Sequence, residues 1–179
     1  MIDYTLYTVN TAPEEAQPYL KGIQEGFGFI PNIFAYMAEA PTTIEAYLAL
    51  DAIVEKTSLI PSQQQIALLT VSVENECEFC TVAHRAVGKM KNATQQTLDA
   101  VYRKEPIENA ADAALVQFIR TIVQNRGHLS DDDIKSFLNA GFNKQQILEL
   151  MIITSIKTLS NYINHVTHPE PNKELLAMV

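Results

Sequence analysis

From residue 32 onwards, apolar residues recur at α-helical spacing in one segment of the chain after another. Ile66, Leu69 and Val73, for example, are three and four residues apart and fall on one helical face. Pro, Gly, Ser and Asn separate the segments at points where helices commonly begin and end. Together with an earlier helix opened by Pro13, the segments predict helices that begin near residues 13, 32, 42, 61, 76, 94, 108, 130 and 143. The pattern predicts an all-α fold of about seven to nine orthogonally packed helices.

The length of 179 residues fits a single domain that spans 1–179. Residues 1–13 are predicted to form an extended N-terminal arm, in which only Tyr4–Val9 resembles a strand. The last predicted helix, 143–167, is apolar on nearly every side, and a helix without a polar face is buried all round. In so small a domain, we expect one side of this helix to face another subunit. The alternative is a central core helix in a monomer.

The net charge of −8, from 13 basic and 21 acidic residues, limits the partners of the chain. It argues against nucleic acid, whose phosphates are bound by clustered Lys and Arg, and against an anionic membrane surface. The most apolar stretch is interrupted by Glu149, Lys157 and Asn161, so it is not predicted to span a bilayer. No basic and apolar leader opens the sequence, and we expect a cytoplasmic protein.

The chain has only two cysteines, Cys77 and Cys80, three residues apart. In a reducing compartment, such a pair is more often catalytic or metal-binding than structural. Asn75 is a suitable N-cap with Glu78 three residues on, so Cys77 is expected in the first helical turn. There its thiolate would gain from free backbone N–H groups and from the helix dipole. The helix dipole therefore favours Cys77 as the more acidic thiol.

His84 extends this pattern by one helical turn. At about 100° per residue, Cys77, Cys80 and His84 fall on one face of the predicted helix. Cys80 and His84 are four residues apart and therefore neighbours. The imidazole can accept a thiol proton or stabilise a thiolate, and the two sulfurs can close a disulfide. The sequence therefore favours a thiol-redox site that needs neither cofactor nor metal.

Two other uses of the cysteine pair remain open on the sequence alone. Both can be ordinary core residues of an amphipathic helix, since free Cys is often buried. They can also bind zinc together with a remote histidine, His165 or His168. Haem attachment is excluded, because Thr81 rather than His follows the second cysteine.

The stretch from Leu59 to His84 resembles the carboxymuconolactone decarboxylase family, specifically its alkyl hydroperoxidase D-like branch. The matching features are a Pro-Ser helix start at Pro61, an apolar helix that contains Val-Ser near its end, and the motif Asn-x-Cys-x-x-Cys-x-x-x-His. Segments 28–34 and 158–165 are similar to the upstream and C-terminal parts of peroxidase-related members. The resemblance extends over nearly the whole chain, and the cysteine motif is its most specific part.

The resemblance implies an all-α homo-oligomer, a dimer, trimer or hexamer, that acts as a cysteine-based peroxidase or disulfide reductase. It implies that Cys80 attacks the peroxide, that Cys77 resolves the sulfenic acid as a disulfide, and that His84 belongs to a proton relay. A dithiol reductant, such as a lipoyl or thioredoxin-type protein, would then reduce the pair. The resemblance thus assigns the attack to Cys80, whereas the helix dipole favours Cys77.

Two positions depart from the family's pattern. Its relay has a Glu twelve residues before the first cysteine, where this chain has Gln65, and its well-known peroxidase pattern has a His where this chain has Phe79. An amide can orient His84, but it cannot accept a proton at neutral pH. Losing a general base typically costs about 10²- to 10⁴-fold in rate. We therefore expect weak peroxidase activity or dithiol–disulfide exchange, and we discount lactone decarboxylation because the family's true decarboxylases lack the cysteine pair.

Three polar residues of the last helix are auxiliary candidates. Asn161, His165 and His168 lie along one stripe and could supply the missing base, also across a subunit interface. The alternative is a polar helix edge, where His is favourable near the negative C-terminal end. For the chain as a whole, the non-catalytic alternative is a redox-sensing or structural oligomer whose cysteine pair is oxidised and reduced without turnover.

Overall fold

The computed structural model describes residues 3–179 as ten α-helices, and this part of the chain contains no strand. The prediction of an all-α fold is confirmed. The prediction of seven to nine helices missed only a four-residue helix that follows Pro169. The helices are α1 (Gln17–Phe27), α2 (Asn32–Met37), α3 (Pro41–Val54), α4 (Pro61–Glu74), α5 (Glu78–Met90), α6 (Gln95–Arg103), α7 (Ala110–Gln124), α8 (Asp131–Asn139), α9 (Lys144–Thr167) and α10 (Lys173–Leu176).

The N-terminal arm packs on α2 without forming a strand. The backbone N–H of Tyr7 donates to the carbonyl of Ala35 over 3.4 Å, and its hydroxyl donates to Glu39 over 3.0 Å. The strand predicted over Tyr4–Val9 is wrong, because a helix covers this segment and offers no strand edge with which it could pair. Residues 1–2 of the predicted arm lie outside the described residues.

The central helix of the molecule is α4. Its residues 66–73 are all buried, and it packs against α5, α6, α7 and α9. Sequence reasoning favoured the last helix for burial on all sides, but α9 leaves Leu148, Tyr162 and Val166 exposed. Whether another subunit covers these side chains stays a prediction.

The core has two parts, and the cysteines belong to the N-terminal one. The larger cluster is built on α4, α7 and α9, whereas the second joins α1, α2 and α3 to the beginning of α5. Cys77, Phe79 and Cys80 lie in this second cluster, next to the point where α9 crosses α5. The cysteines are therefore held between three elements of the fold. Within residues 3–179, no helix has the length and apolar character needed to cross a bilayer.

Candidate active site

A three-residue junction between α4 and α5 sets the positions of both cysteines. Asn75 ends α4, Glu76 adopts the left-handed conformation (φ 56°), and Cys77 stands at the N-cap of α5. The prediction that Asn75 caps the cysteine helix is wrong. Its side-chain amide instead donates to Oδ1 of Asn161 over 3.0 Å, which ties the junction to α9.

The shifted start of α5 exchanges the places expected for the two sulfurs. Cys77 precedes the first helical turn, whereas Cys80 is the third residue of α5. Backbone N–H groups without helical partners lie in this first turn, at the positive end of the helix dipole. Cys80 rather than Cys77 therefore occupies the turn in which a thiolate is favoured.

One amide connects the two thiols. Nδ2 of Asn164 lies 3.4 Å from Sγ of Cys77 and 3.1 Å from Sγ of Cys80, within hydrogen-bonding distance of both sulfurs. Both cysteines are free thiols, and each is only 2% exposed. An amide N–H is a donor only, so Asn164 stabilises whichever sulfur carries negative charge.

His84 lies between an amide and an ammonium group. Its Nδ1 is 3.0 Å from Oε1 of Gln65, and its Nε2 is 2.9 Å from Nζ of Lys157. Because the ammonium can only donate, Nε2 accepts and Nδ1 carries the proton that is donated to Gln65. Burial, and secondly the charge of Lys157, hold the pKa of His84 well below its usual range. The imidazole is therefore neutral in a fixed tautomer.

The thiols of the pair differ in acidity. Burial by itself disfavours the Cys80 thiolate, but a hydrogen bond from the Cys77 thiol and the positive charge of Lys157 lower the pKa of Cys80 to about 5. The pKa of Cys77 is raised, because its thiol donates to Cys80 and is itself buried. The expectation that Cys77 is the more acidic thiol is therefore wrong. Cys80 is the sulfur that ionises first.

Cys77 lines an open pocket of about 620 Å³ at the end of α9. Cys80 does not line this pocket. His165 and His168, the auxiliary histidines proposed from the sequence, are exposed on the pocket wall, and neither hydrogen-bonds to a sulfur or to His84. The other lining residues are Asn75, Glu76, Glu78, Phe79, Asn164, Pro169, Glu170 and Pro171.

Sequence reasoning missed Lys157 and Asn164. Both lie on α9 and are buried, as is Asn161, which sequence reasoning did single out. The signal was available, because positions 157, 161 and 164 have the spacing of one helical face and are polar within an apolar helix. The stripe of 161, 165 and 168 has the same spacing but is turned towards solvent from 165 onwards.

The zinc alternative finds no support in the side-chain arrangement. Across residues 3–179, no three His, Cys, Asp or Glu side chains are grouped so that they could hold a metal ion. His165 and His168 are the histidines that this alternative requires, and they stand on the exposed pocket wall.

The chain matches one family model and several solved structures. Residues 38–120 match the model of the carboxymuconolactone decarboxylase family, and this segment includes Gln65, both cysteines and His84. None of the curated proteins matches the sequence.

The solved structures share the fold at low sequence identity. A peroxidase-related protein from Ralstonia eutropha JMP134, described as an alkylhydroperoxidase AhpD core, has a TM-score of 0.86 at 22% identity over 98% of this chain and 94% of that one. A peroxidase-related protein from Silicibacter sp. TM1040 has a TM-score of 0.81 at 22% identity, over 97% of this chain and 92% of that one. The debrominase Bmp8 in complex with 2,3,4-tribromopyrrole has a TM-score of 0.79 at 16% identity, over 99% of this chain and 95% of that one. Residues 38–120 are therefore similar to the carboxymuconolactone decarboxylase family, and the fold of the chain is that of the alkylhydroperoxidase AhpD core.

Proposed function

We propose that this chain is a thiol-dependent oxidoreductase that reduces peroxides or disulfides, with Cys80 as the attacking sulfur and Cys77 as the resolving one. One observation carries the proposal: two buried thiols share the Asn164 amide, and only one of them, Cys80, has a lowered pKa. Since the thiolate is the nucleophile, the difference in acidity assigns the two roles. The AhpD-like fold supports an antioxidant function of this kind.

With a hydroperoxide as substrate, the Cys80 thiolate attacks the terminal oxygen. The S–O bond forms as the O–O bond breaks, the sulfur becomes a sulfenic acid, and the alkoxide leaves and takes up a proton. The Cys77 sulfur then attacks the sulfenic sulfur, which forms the disulfide and releases water. With a disulfide as substrate, the same thiolate forms a mixed disulfide that Cys77 resolves.

The pocket supports a direction for the reducing half of the cycle. Cys77 faces the pocket, so a dithiol reductant, such as a lipoyl or thioredoxin-type protein, would attack Cys77 and release Cys80. A thiol of low pKa is the better leaving group in such exchange. The second thiol of the reductant then frees Cys77 and regenerates the reduced pair.

The test is peroxide consumption by the reduced protein with dihydrolipoamide or dithiothreitol as the recycling donor. We expect more than one turnover for the wild type and none for Cys80→Ser, because the serine hydroxyl is not ionised at neutral pH. Disulfide reduction is measured with the same proteins and donors. A wild type that consumes one equivalent or less of either substrate would contradict catalysis and favour the redox-sensing alternative.

A second variant tests the departure at position 65. In Gln65→Glu, a carboxylate faces Nδ1 of His84 and can accept its proton, so we expect faster peroxide turnover than in the wild type. Gln65→Leu is the matched control, since it removes the acceptor without adding a base. Equal turnover in Gln65→Glu and the wild type would show that a base at this position does not limit the reaction.

A further inference from the structure

Lys157 is a buried cation without a carboxylate partner. It lies in the middle of α9 and is 1% exposed, and none of the ion pairs formed within residues 3–179 includes it. Lysine is almost never fully buried unless it is paired, because the interior does not solvate an ammonium group. The fold must therefore supply an anion or strong dipoles near Nζ.

The groups around Lys157 come from two other helices, α3 and α5. His84 of α5 is neutral and accepts a hydrogen bond from Nζ, which satisfies one donor but balances no charge. Asp51 of α3 feels the charge of Lys157, but its pKa is raised, foremost by burial and also by Glu55. The thiol of Cys80 feels the same charge. Burial, and after it the charges of Asp51 and Cys80, raise the pKa of the Tyr47 hydroxyl on α3. Cys80 is the one acid of this group whose pKa falls.

We propose that Lys157 is the counter-ion of the Cys80 thiolate and donates a proton to the departing oxygen. Its ammonium group would thus supply the proton that the relay cannot carry, because Gln65 has no titratable group. The inference rests on the proposed function and deepens it. Asn161 and Asn164 extend the same side of α9, and the Asn164 amide donates to Cys80 over 3.1 Å, which favours its thiolate. The reactive sulfur is therefore surrounded by donors from one helix face.

Protons and electrons balance over the full cycle. The Cys80 thiolate loses two electrons to the O–O bond, and the alkoxide takes a proton from the Lys157 ammonium, which leaves a neutral amine. Cys77 forms the S–S bond, and its proton leaves with the sulfenic oxygen as water. The dithiol reductant then supplies two electrons and two protons, of which one returns to Cys77 and one to Lys157. Cys80 leaves as the thiolate with which the cycle began.

The test measures thiolate formation in the reduced protein as a function of pH. Alkylation by iodoacetamide is followed at each pH, and mass spectrometry identifies which cysteine has reacted. Lys157→Gln keeps a hydrogen-bond donor but removes the charge, and a contacting charge shifts a pKa by about 1 to 3 pH units. We expect the Cys80 midpoint to rise by that amount in Lys157→Gln and to stay near the wild-type value in Lys157→Arg.

Ile156→Val is the control for packing. Ile156 is the fully buried neighbour of Lys157, and its truncation disturbs the same part of α9 without changing any charge. We expect a lower melting temperature and an unchanged Cys80 midpoint. The imidazole signal of His84 is a second readout, since loss of the cation also raises the pKa of His84.

Two results would overturn the inference: a folded Lys157→Gln protein with the wild-type midpoint, or a midpoint that rises equally in Lys157→Arg. Should Lys157→Gln not fold, the wild type still decides, because a Cys80 midpoint in the ordinary thiol range leaves Lys157 without its anion. These titrations require no turnover. A wild type in which Cys80 titrates with a low midpoint but which shows no turnover would refute the proposed function, and the ion pair of Lys157 and Cys80 would still be supported.

Discussion

Asn164 is the residue through which the two sulfurs share one environment. Its Nδ2 reaches both Sγ atoms, whereas its Oδ1 is buried without a hydrogen-bond partner among the described residues. An unpartnered buried oxygen costs free energy, and a fold retains such a cost where the group is needed. The amide is neutral, so it can stabilise a thiolate without itself forming an ion pair with Lys157.

Removal of this amide should slow oxidation of the pair. A hydrogen bond to a charged group contributes about 1.5 kcal/mol or more, so we expect Asn164→Ala to lower the rate of disulfide formation by peroxide roughly tenfold. The rate is followed by thiol titration of the reduced protein. His165→Ala is the neighbouring control: His165 is exposed and contacts no sulfur, so its rate should stay within about twofold of the wild type. Equal effects of the two substitutions would contradict the contact.

The sequence could predict the members of the site that lie close together along the chain, but not those that packing brings in. Cys80 and His84 share one helical face, and the expected contact of Gln65 with His84 is present at 3.0 Å. Lys157 reaches His84 from 73 positions away, and its arrival depends on how far α9 is rotated against α5. Periodicity gives the stripes of a helix but not the stripe that a neighbouring helix meets.

At the scale of elements, the decisive feature is the junction of residues 75–77. A shift of the helix start by two residues moved Cys80 into the first turn and Cys77 out of it. Glu76 makes this possible because its left-handed backbone turns the chain from α4 into α5 within three residues. Capping preferences alone pointed to Asn75, and they failed because its side chain is bound to Asn161. Helix ends are decided by such competing contacts.

The left-handed residue gives a test with opposite signs at two nearby positions. That conformation costs an L-residue about 1–2 kcal/mol, partly offset in Glu76→Gly by the greater freedom of Gly in the unfolded chain. We expect Glu76→Gly to raise the free energy of unfolding by up to about 1 kcal/mol. Glu78 lies in the first turn of α5, and Glu78→Gly should lower it by about 1 kcal/mol. Chemical denaturation of the reduced proteins measures both, and a loss in both would contradict the junction geometry.

For the whole molecule, the site couples stability to pH. The folded pKa of Cys80 lies near 5, below its ordinary value of 9.0. A depressed pKa stabilises the fold fully above the ordinary value, and the stabilisation is lost as pH falls towards the folded one. His84 acts in the same direction. Its imidazole stays neutral when buried, whereas in the unfolded chain it binds a proton below the usual pKa of histidine, so a lower pH favours unfolding. Cys77, whose pKa is raised, acts only above its ordinary range.

We therefore expect the melting temperature of the reduced protein to fall as the pH is lowered from about 9 to about 5. Calorimetry across this window measures the slope. In Cys80→Ser the slope should be smaller, because only His84 then contributes to it, and only in the lower half of this pH window. A reduced wild type whose melting temperature is flat over this window would show that Cys80 is not ionised in the folded protein.

At this scale the helical fold could be predicted, because period and punctuation are local properties of the sequence. The order of burial could not. The sequence of α9 is apolar nearly all round, yet α4 is the enclosed helix and α9 shows Tyr162 and Val166 to solvent. Composition does not distinguish a helix that its own chain encloses from a helix whose apolar face packs against a second copy of the chain. The predicted homo-oligomer would place α9 in the second class.

The burial of Lys157 has a consequence for the direction in which electrons move. When the cysteines join, the charge of Cys80 disappears, and the ion pair that we propose for the reduced form is lost, because Lys157 has given up its proton and stays in the core as a neutral amine. The bridge encloses only two residues, so it restricts the unfolded chain little and recovers little of this loss. With this ion pair, we expect the dithiol form to be the more stable one, as in strongly oxidising thiol proteins. Once closed, the bridge is then readily reduced, and a weakly reducing dithiol is sufficient as its electron donor.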